Sequence, residues 1–296
     1  MLLRVSVAAA TLLAGIACSS RTPAGQPAPV PAPEGGVPPP EPPAAAPARP
    51  SEAVRFGPSA LRYHVHQQIH VEQEFQGQTS TVDRGISGYI AVTIVGPADS
   101  VGYPVTLTID SIVADSGTVL PATINLSAVR GLALRGRLAP TGEFRDAVAS
   151  DTALARTFAQ VIGSFQNFFP RIPSGGLTLG AEWTDTTSTT DRTLVEVTTR
   201  STIRSRATAW DQRGAARALR LDVTSHYTVI GAGEQGGQVM EVSGTGVQTR
   251  TQFLAADGRY LGGEARDSSN IQINLPVQAT TVPVRQVSQS TVTVLP

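Results

Sequence analysis

Lysine is missing from this 296-residue chain, and all 23 of its basic residues are arginine. A phosphate-binding loop needs a lysine on the β- and γ-phosphates, a Schiff-base enzyme needs an amine, and a Ser-x-x-Lys acyl enzyme needs its lysine. All three chemistries are excluded. Cysteine occurs once, at Cys18, and if that thiol is acylated the chain has no disulfide, no thiolate metal site and no cysteine nucleophile. Neither sign of charge is in excess, because 23 acidic residues balance the 23 arginines. No net field then draws the chain to nucleic acid or to anionic lipid. A long hydrophobic run is also lacking. The apolar stretch Val5 to Ile16 falls short of the ~20 residues that a membrane-spanning helix requires.

That short run has another use. Met1 to Ala17 carries one early positive charge, Arg4, then the apolar stretch, then small residues at Gly15 and Ala17, which is the layout of an export signal. Gly15-Ile16-Ala17-Cys18 resembles the lipobox of bacterial lipoproteins, with glycine where that family usually has leucine. The resemblance implies acylation of Cys18, removal of residues 1–17 and a lasting membrane anchor, since two or three acyl chains hold where one holds only marginally. Gly15 and Ala17 also satisfy the small-x-small rule of an ordinary signal peptidase, which would leave a secreted protein with a free cysteine. Ser19, where inner-membrane retention of such lipoproteins usually involves aspartate, points to the outer membrane. Residues 18–60 are dominated by Pro, Ala and Gly and are expected to form a disordered, polyproline-biased tether.

Past residue 60 the main signal is period-two alternation between Gly, Asp, Asn and Pro turns. In the stretch from Leu219 to Val229, Leu219, Leu221, Val223, Tyr227 and Val229 share one face, and Arg220, Asp222, Thr224, His226 and Thr228 the other. Further strands are predicted over 63–75, 86–95, 103–109, 132–138, 195–209 (as two strands), 239–253, 260–273 and 284–294. The expectation is one antiparallel β domain over 61–296, mainly β, with about ten strands in two runs. One segment breaks the pattern. Leu154, Phe158, Val161, Ile162, Phe165 and Phe168 or Phe169 recur at spacings of three and four, predicting one amphipathic helix over 151–169, capped by Ser150 or Asp151 and stopped by Pro170. LAPTGEF at 138–144 and LAADGRY at 254–260 read as matching hairpin turns with a left-handed glycine.

Few residues suggest chemistry. Gly231-Ala232-Gly233-Glu234-Gln235-Gly236 fits the dinucleotide fingerprint, but the motif needs a helix next, and the stretch from Gln238 is glycine-interrupted and β-like. His64, His66 and His70 project from one face of a strand with Glu72 and Glu74, the arrangement in which a His-x-His pair can bind zinc. His66 and His70, though, stand about 13 Å apart at ~3.3 Å per residue, so the solvated face of a strand accounts for the row better than a metal site does. No Gly-x-Ser-x-Gly occurs, and the pairs Asp110/Asp115 and Asp185/Asp191 read as turn formers. No cofactor is expected, and no catalytic residue.

The segment FPRIPSGGLTLGAEWTD, residues 169–185, is punctuated by Pro173, Gly180 and Trp183. A β run, a helix, this connector and a second β run together resemble a group of uncharacterised bacterial lipoproteins. More loosely, they resemble the half-barrel lipoprotein carriers of the LolA and LppX type. That resemblance implies a curved antiparallel sheet whose helix and sheet enclose an apolar pocket, and it implies no enzyme. Phe158, Phe165 and Trp183 are then the candidate lining for a lipid or other hydrophobic ligand. The alternative is a structural or assembly lipoprotein with a filled core, binding other envelope proteins through Thr/Arg-rich outer faces.

Overall fold

The computed structural model describes residues 53–118, 125–158, 165, 167–191, 195–235 and 237–296. The leader, Cys18 and the tether as far as residue 52 lie outside the described residues, as do 159–164 and 166 of the expected helix. Eleven strands run in chain order: β1 Ser59–Phe75, β2 Gln78–Ile94, β3 Tyr103–Ala114, β4 Ala133–Leu138, β5 Phe144–Ala149, β6 Glu182–Asp191, β7 Glu196–Arg213, β8 Ala216–Gln235, β9 Gln238–Ala255, β10 Tyr260–Leu275 and β11 Thr280–Val294. All pairings are antiparallel, and the strands form one curled, unclosed sheet in the order β5-β4-β3-β2-β1-β11-β10-β9-β8-β7-β6.

Several details differ from the sequence expectation. The segment 195–209 makes one strand rather than two. β7 runs without a break from Glu196 to Arg213, and a register shift between Ala207 and Ala209 absorbs the irregularity. Alternation predicts neither β5 nor β6. β6, EWTDTTSTTD, is polar on both faces and so shows no hydrophobic alternation, although its threonines favour strands on account of their branched Cβ. Within the expected helix, the described helix α1 covers Thr152–Thr157. The Asp151 carboxylate caps it, accepting the Leu154 N–H at 2.9 Å. The tether boundary also moves. Val54 and Phe56 are 1% and 3% exposed, and Val54 exchanges two backbone hydrogen bonds with Leu177, so the folded part includes residues placed by composition in the tether.

Alternation places the core. Inward residues of the first five strands, such as Tyr63, Ile90, Leu107 and Leu138, join Leu219, Leu221 and Leu254 in one buried cluster, to which Phe56, Phe158, Phe165, Phe168 and Phe169 contribute their rings. A second cluster on the same face of the later strands holds Val197, Val229, Ile271, Ile273 and Val284. The two matched turns do form matched hairpins. In β4–β5 the Ala139 N–H donates to Glu143 O and Gly142 N–H to Ala139 O. In β9–β10 the Ala255 N–H donates to Arg259 O and Gly258 N–H to Ala255 O, all four at 2.8 Å. Gly142 and Gly258 have φ of 82° and 88°, left-handed backbone that glycine adopts freely. A Cβ at Gly258 would also strike the Arg55 carbonyl.

Phe56→Ala tests the revised boundary. Removing a buried phenylalanine costs about 3–5 kcal/mol, and chemical unfolding of the full-length chain should show a loss of that order. A loss below about 1 kcal/mol, the scale of ordinary surface changes, would return the segment to the tether.

Candidate functional site

Strand register sorts the inward side chains of β6–β11 into rows that cross the sheet. One row reads Asp185, Ile203, Ser225, Gln248, Asp267, Ser288. On one side of it lie Trp183, Ser205, Val223, Arg250, Ala265 and Ser290, and on the other Thr187, Ser201, Tyr227, Gly246, Ser269 and Gln286. The inward face therefore carries a polar belt between its two apolar clusters. Ser201, Ser205, Ser225, Asp267, Ser269 and Gln286 are all buried. Asn167, Phe169 and Arg171, from the connector after α1, lie over part of this belt and close a cavity of about 60 Å³.

Asp267 is the central group of the belt. It is 8% exposed, and its Oδ1 accepts the Tyr227 hydroxyl at 2.9 Å, while its Oδ2 is buried with no hydrogen-bond partner among the described residues. A bare buried polar atom costs about 1–3 kcal/mol. Burial pushes the Asp267 carboxyl above the ordinary carboxylate range, and the Tyr227 bond and the charge of Arg250 only partly offset this. Burial likewise raises the Tyr227 phenol, with the neighbouring Asp267 adding to the effect. Tyr227 reaches Asp267 diagonally across Gly246, its own register partner on β9, which pairs on its other side with Ser269. A Cβ at Gly246 would overlap the Tyr227 ring, which is the close approach that a glycine inside a strand allows. Beside the carboxylate, Arg250 Nε donates to Gln248 Oε1 at 2.6 Å. Gln252 Nε2 donates to the Tyr260 hydroxyl at 3.4 Å, and burial pushes that phenol up to about 12.

The residues singled out from sequence fall elsewhere. Phe158 and Phe165 are buried in the main core and the partly buried Trp183 packs against it, so they fill space there. The histidine row lies on the outward face of β1, with a different neighbour at each step. His64 packs on the Tyr89 ring at 4.9 Å, His66 Nδ1 is 3.0 Å from Ser87 Oγ, and His70 Nδ1 is 2.7 Å from Asp83 Oδ1. Among the described residues no group of three His, Cys, Asp or Glu side chains could hold a metal ion. Ser87, His66 and Asp115 do not form a catalytic triad. Ser87 Oγ donates to Asp115 Oδ1 at 3.2 Å, and serine and aspartate both face the same His66 nitrogen, whereas a triad needs them on opposite nitrogens.

Two acid readings change. Asp110 lies within β3 and pairs with Arg62 at 2.6 Å, and Asp185 lies within β6 and lines the cavity; neither is a turn former. Lone polar residues in the inward register are weak against the surrounding alternation. Ser225, interrupting the apolar series from Leu219 to Val229, is the one legible sign of the belt.

No protein-family model matches the chain, and no curated protein matches it. The site therefore rests on its own geometry.

The raised Asp267 carboxyl has a consequence for stability. The fold holds that proton more tightly than the unfolded chain does, so stability falls as pH rises from the ordinary value of 3.8 toward the raised native one. Asp267→Asn removes the titration. Relative to the unaltered chain, this variant should gain stability as pH rises above the ordinary carboxylate value in parallel denaturant titrations, whereas an offset that stays constant with pH would mean Asp267 titrates normally.

Proposed function

We propose that this protein is a bacterial envelope lipoprotein, anchored through acylated Cys18, with a non-catalytic binding role. The leader of residues 1–17, the placement of Cys18 and the Pro/Ala-rich stretch after it support export and tethering, and Ser19 supports the outer membrane as the destination. The tethered unit is a curled sheet of eleven strands. A half-barrel in two runs, with a helix that starts at α1 on its inward face, is the architecture that the resemblance to the LolA- and LppX-type carriers implies; residues 167–169 at the far end of the expected helix are not helical.

The observation that carries the choice of binding mode is the filling of the space between connector and sheet. Phe56, Tyr63, Phe168, Phe169 and Tyr260 pack ring against ring there, with centroid separations of 5.1 to 6.1 Å and mostly edge-on, the geometry that aromatic quadrupoles favour. Interdigitated rings leave little for a lipid tail, and the cavity of about 60 Å³ that the described residues enclose beside them is far smaller than the several hundred Å³ of an ordinary ligand pocket. This supports polar recognition of an envelope partner over carriage of an apolar ligand. The outward face offers such a surface. Arg200, Thr202, His226, Thr228 and Thr245 line an open groove of about 900 Å³, and farther along the same face of β8 Asp222 accepts from Thr208, Arg220 and Thr251, each at 2.9 Å.

Three measurements test this reading. Mass spectrometry of the mature amino-terminal peptide should find acyl chains on Cys18, and an unmodified thiol there would end the anchor proposal. Cross-linking in the native envelope should give one dominant protein partner. Delipidated protein should take up no fatty acid, phospholipid or apolar dye, and stoichiometric uptake of any of these would restore the carrier reading.

A further inference from the structure

The outward face of β6–β10 carries charge of one sign. Three neighbouring rows of the register cross it, one through Arg204 and Arg266, the next through His226 and the third through Arg200 and Asn270. Threonines, serines and Val247 fill the other positions, and no acid falls in any of the three rows. The three arginines are exposed and have no carboxylate partner among the described residues. In the adjoining row Glu182 and Asp222 are held by Arg206 and Arg220, each at 2.9 Å, and Glu264 lies two residues before Arg266, so β7 carries the clearest excess of positive charge. In a chain whose 23 acids balance its 23 arginines such an excess is local, and it borders the open groove of about 900 Å³.

Spacing narrows the class of partner. Arg200 and Arg204 are four residues apart on β7, ~13 Å at ~3.3 Å per residue. Arg266 is level with Arg204 but three strands away, ~14 Å at the usual strand separation. Guanidiniums so dispersed do not form the tight cluster that recognises a phosphate. Each offers its fork to a separate carboxylate. An extended polypeptide has the same rise per residue as β7, so one lying along that strand brings acids four residues apart to Arg200 and Arg204 together. The surrounding threonine hydroxyls both donate and accept, which suits the polar backbone of such a segment.

We infer that this face docks an extended acidic segment of a partner protein, with acids at every fourth residue meeting Arg200 and Arg204. The inference rests on the partner-binding role assigned above and names the chemistry that the groove selects. Exposed ion pairs are individually weak and are screened by salt. Binding therefore falls with ionic strength, and it depends on the spacing of the acids rather than on their number.

Fluorescence anisotropy on the full-length chain in a neutral detergent tests it with labelled peptides rich in Thr and Ser. One peptide carries glutamate at every fourth residue, a second has the same glutamates in one consecutive block, and a third has lysine in their place. Polygalacturonate serves as an acidic polysaccharide and pyrophosphate as a compact anion. The first peptide should bind saturably at low salt, about fivefold or more tighter than the second, and the third should not bind. Arg200→Gln and Arg204→Gln should each weaken it about fivefold without lowering the unfolding midpoint. Arg130→Gln, at an exposed arginine in the turn before β4, should leave binding unchanged. Equal binding of the block peptide, tighter binding of polygalacturonate or pyrophosphate, no binding of any probe, or self-association of the chain that the double arginine variant abolishes would each overturn the inference. So would a dominant envelope cross-link that persists in that double variant, an outcome that leaves partner binding itself standing. Peptide binding as expected, with no protein cross-linked in the envelope, would support the inference and remove the earlier reading instead.

Discussion

β1 and β11 come from opposite ends of the described chain, yet they pair without a break from Tyr63 opposite Val294 to Gln73 opposite Val284. Every other strand pairing joins neighbours in sequence, so this one ladder holds the early strands to the late ones. The main core depends on it, because Tyr63 on β1 must reach Tyr260 on β10. Its hydroxyl donates to the Tyr260 carbonyl at 2.8 Å, and burial raises that phenol above its already high ordinary value. Closing a contact between such distant segments carries the largest loop entropy in the fold and is characteristic of slow-folding β proteins.

The sheet has one inward face, and two demands compete for it. An unclosed sheet must bury apolar surface against itself and whatever segments lie over it, which the leucine, isoleucine and aromatic positions achieve at one end and the valine-rich cluster at the other. The polar belt interrupts that burial across six strands, replacing side chains that would stabilise the core with serines, glutamines, a threonine, an arginine and two aspartates. Polar groups in such positions weaken a fold unless each is satisfied. A departure from local consistency on this scale is where function is expected to lie.

These demands also decide how much of the molecule is legible in its sequence. Strands with one apolar face declare themselves, and β1, β3, β8 and β10 lie close to where alternation puts them. β6 does not, because a strand whose inward residues are Trp183, Asp185 and Thr187 has almost no hydrophobic signal to read. Val54 and Phe56 are masked in the same way by the Pro/Ala composition just before them. The cavity is harder still to foresee. Asp267, Tyr227 and Gly246 lie on three strands, and only the register of those strands brings them together, whereas the histidine row draws attention through its spacing within one strand and forms no shared centre.

The Val54–Leu177 bridge gives the protein a particular response to mechanical load. Tension arriving from the amino-terminal side meets two short backbone hydrogen bonds, of 2.8 and 2.7 Å, before it reaches the first long ladder of the sheet. Under such a load these bonds and the buried Phe56 ring would be strained before the β1 ladders, since they precede β1 in the chain.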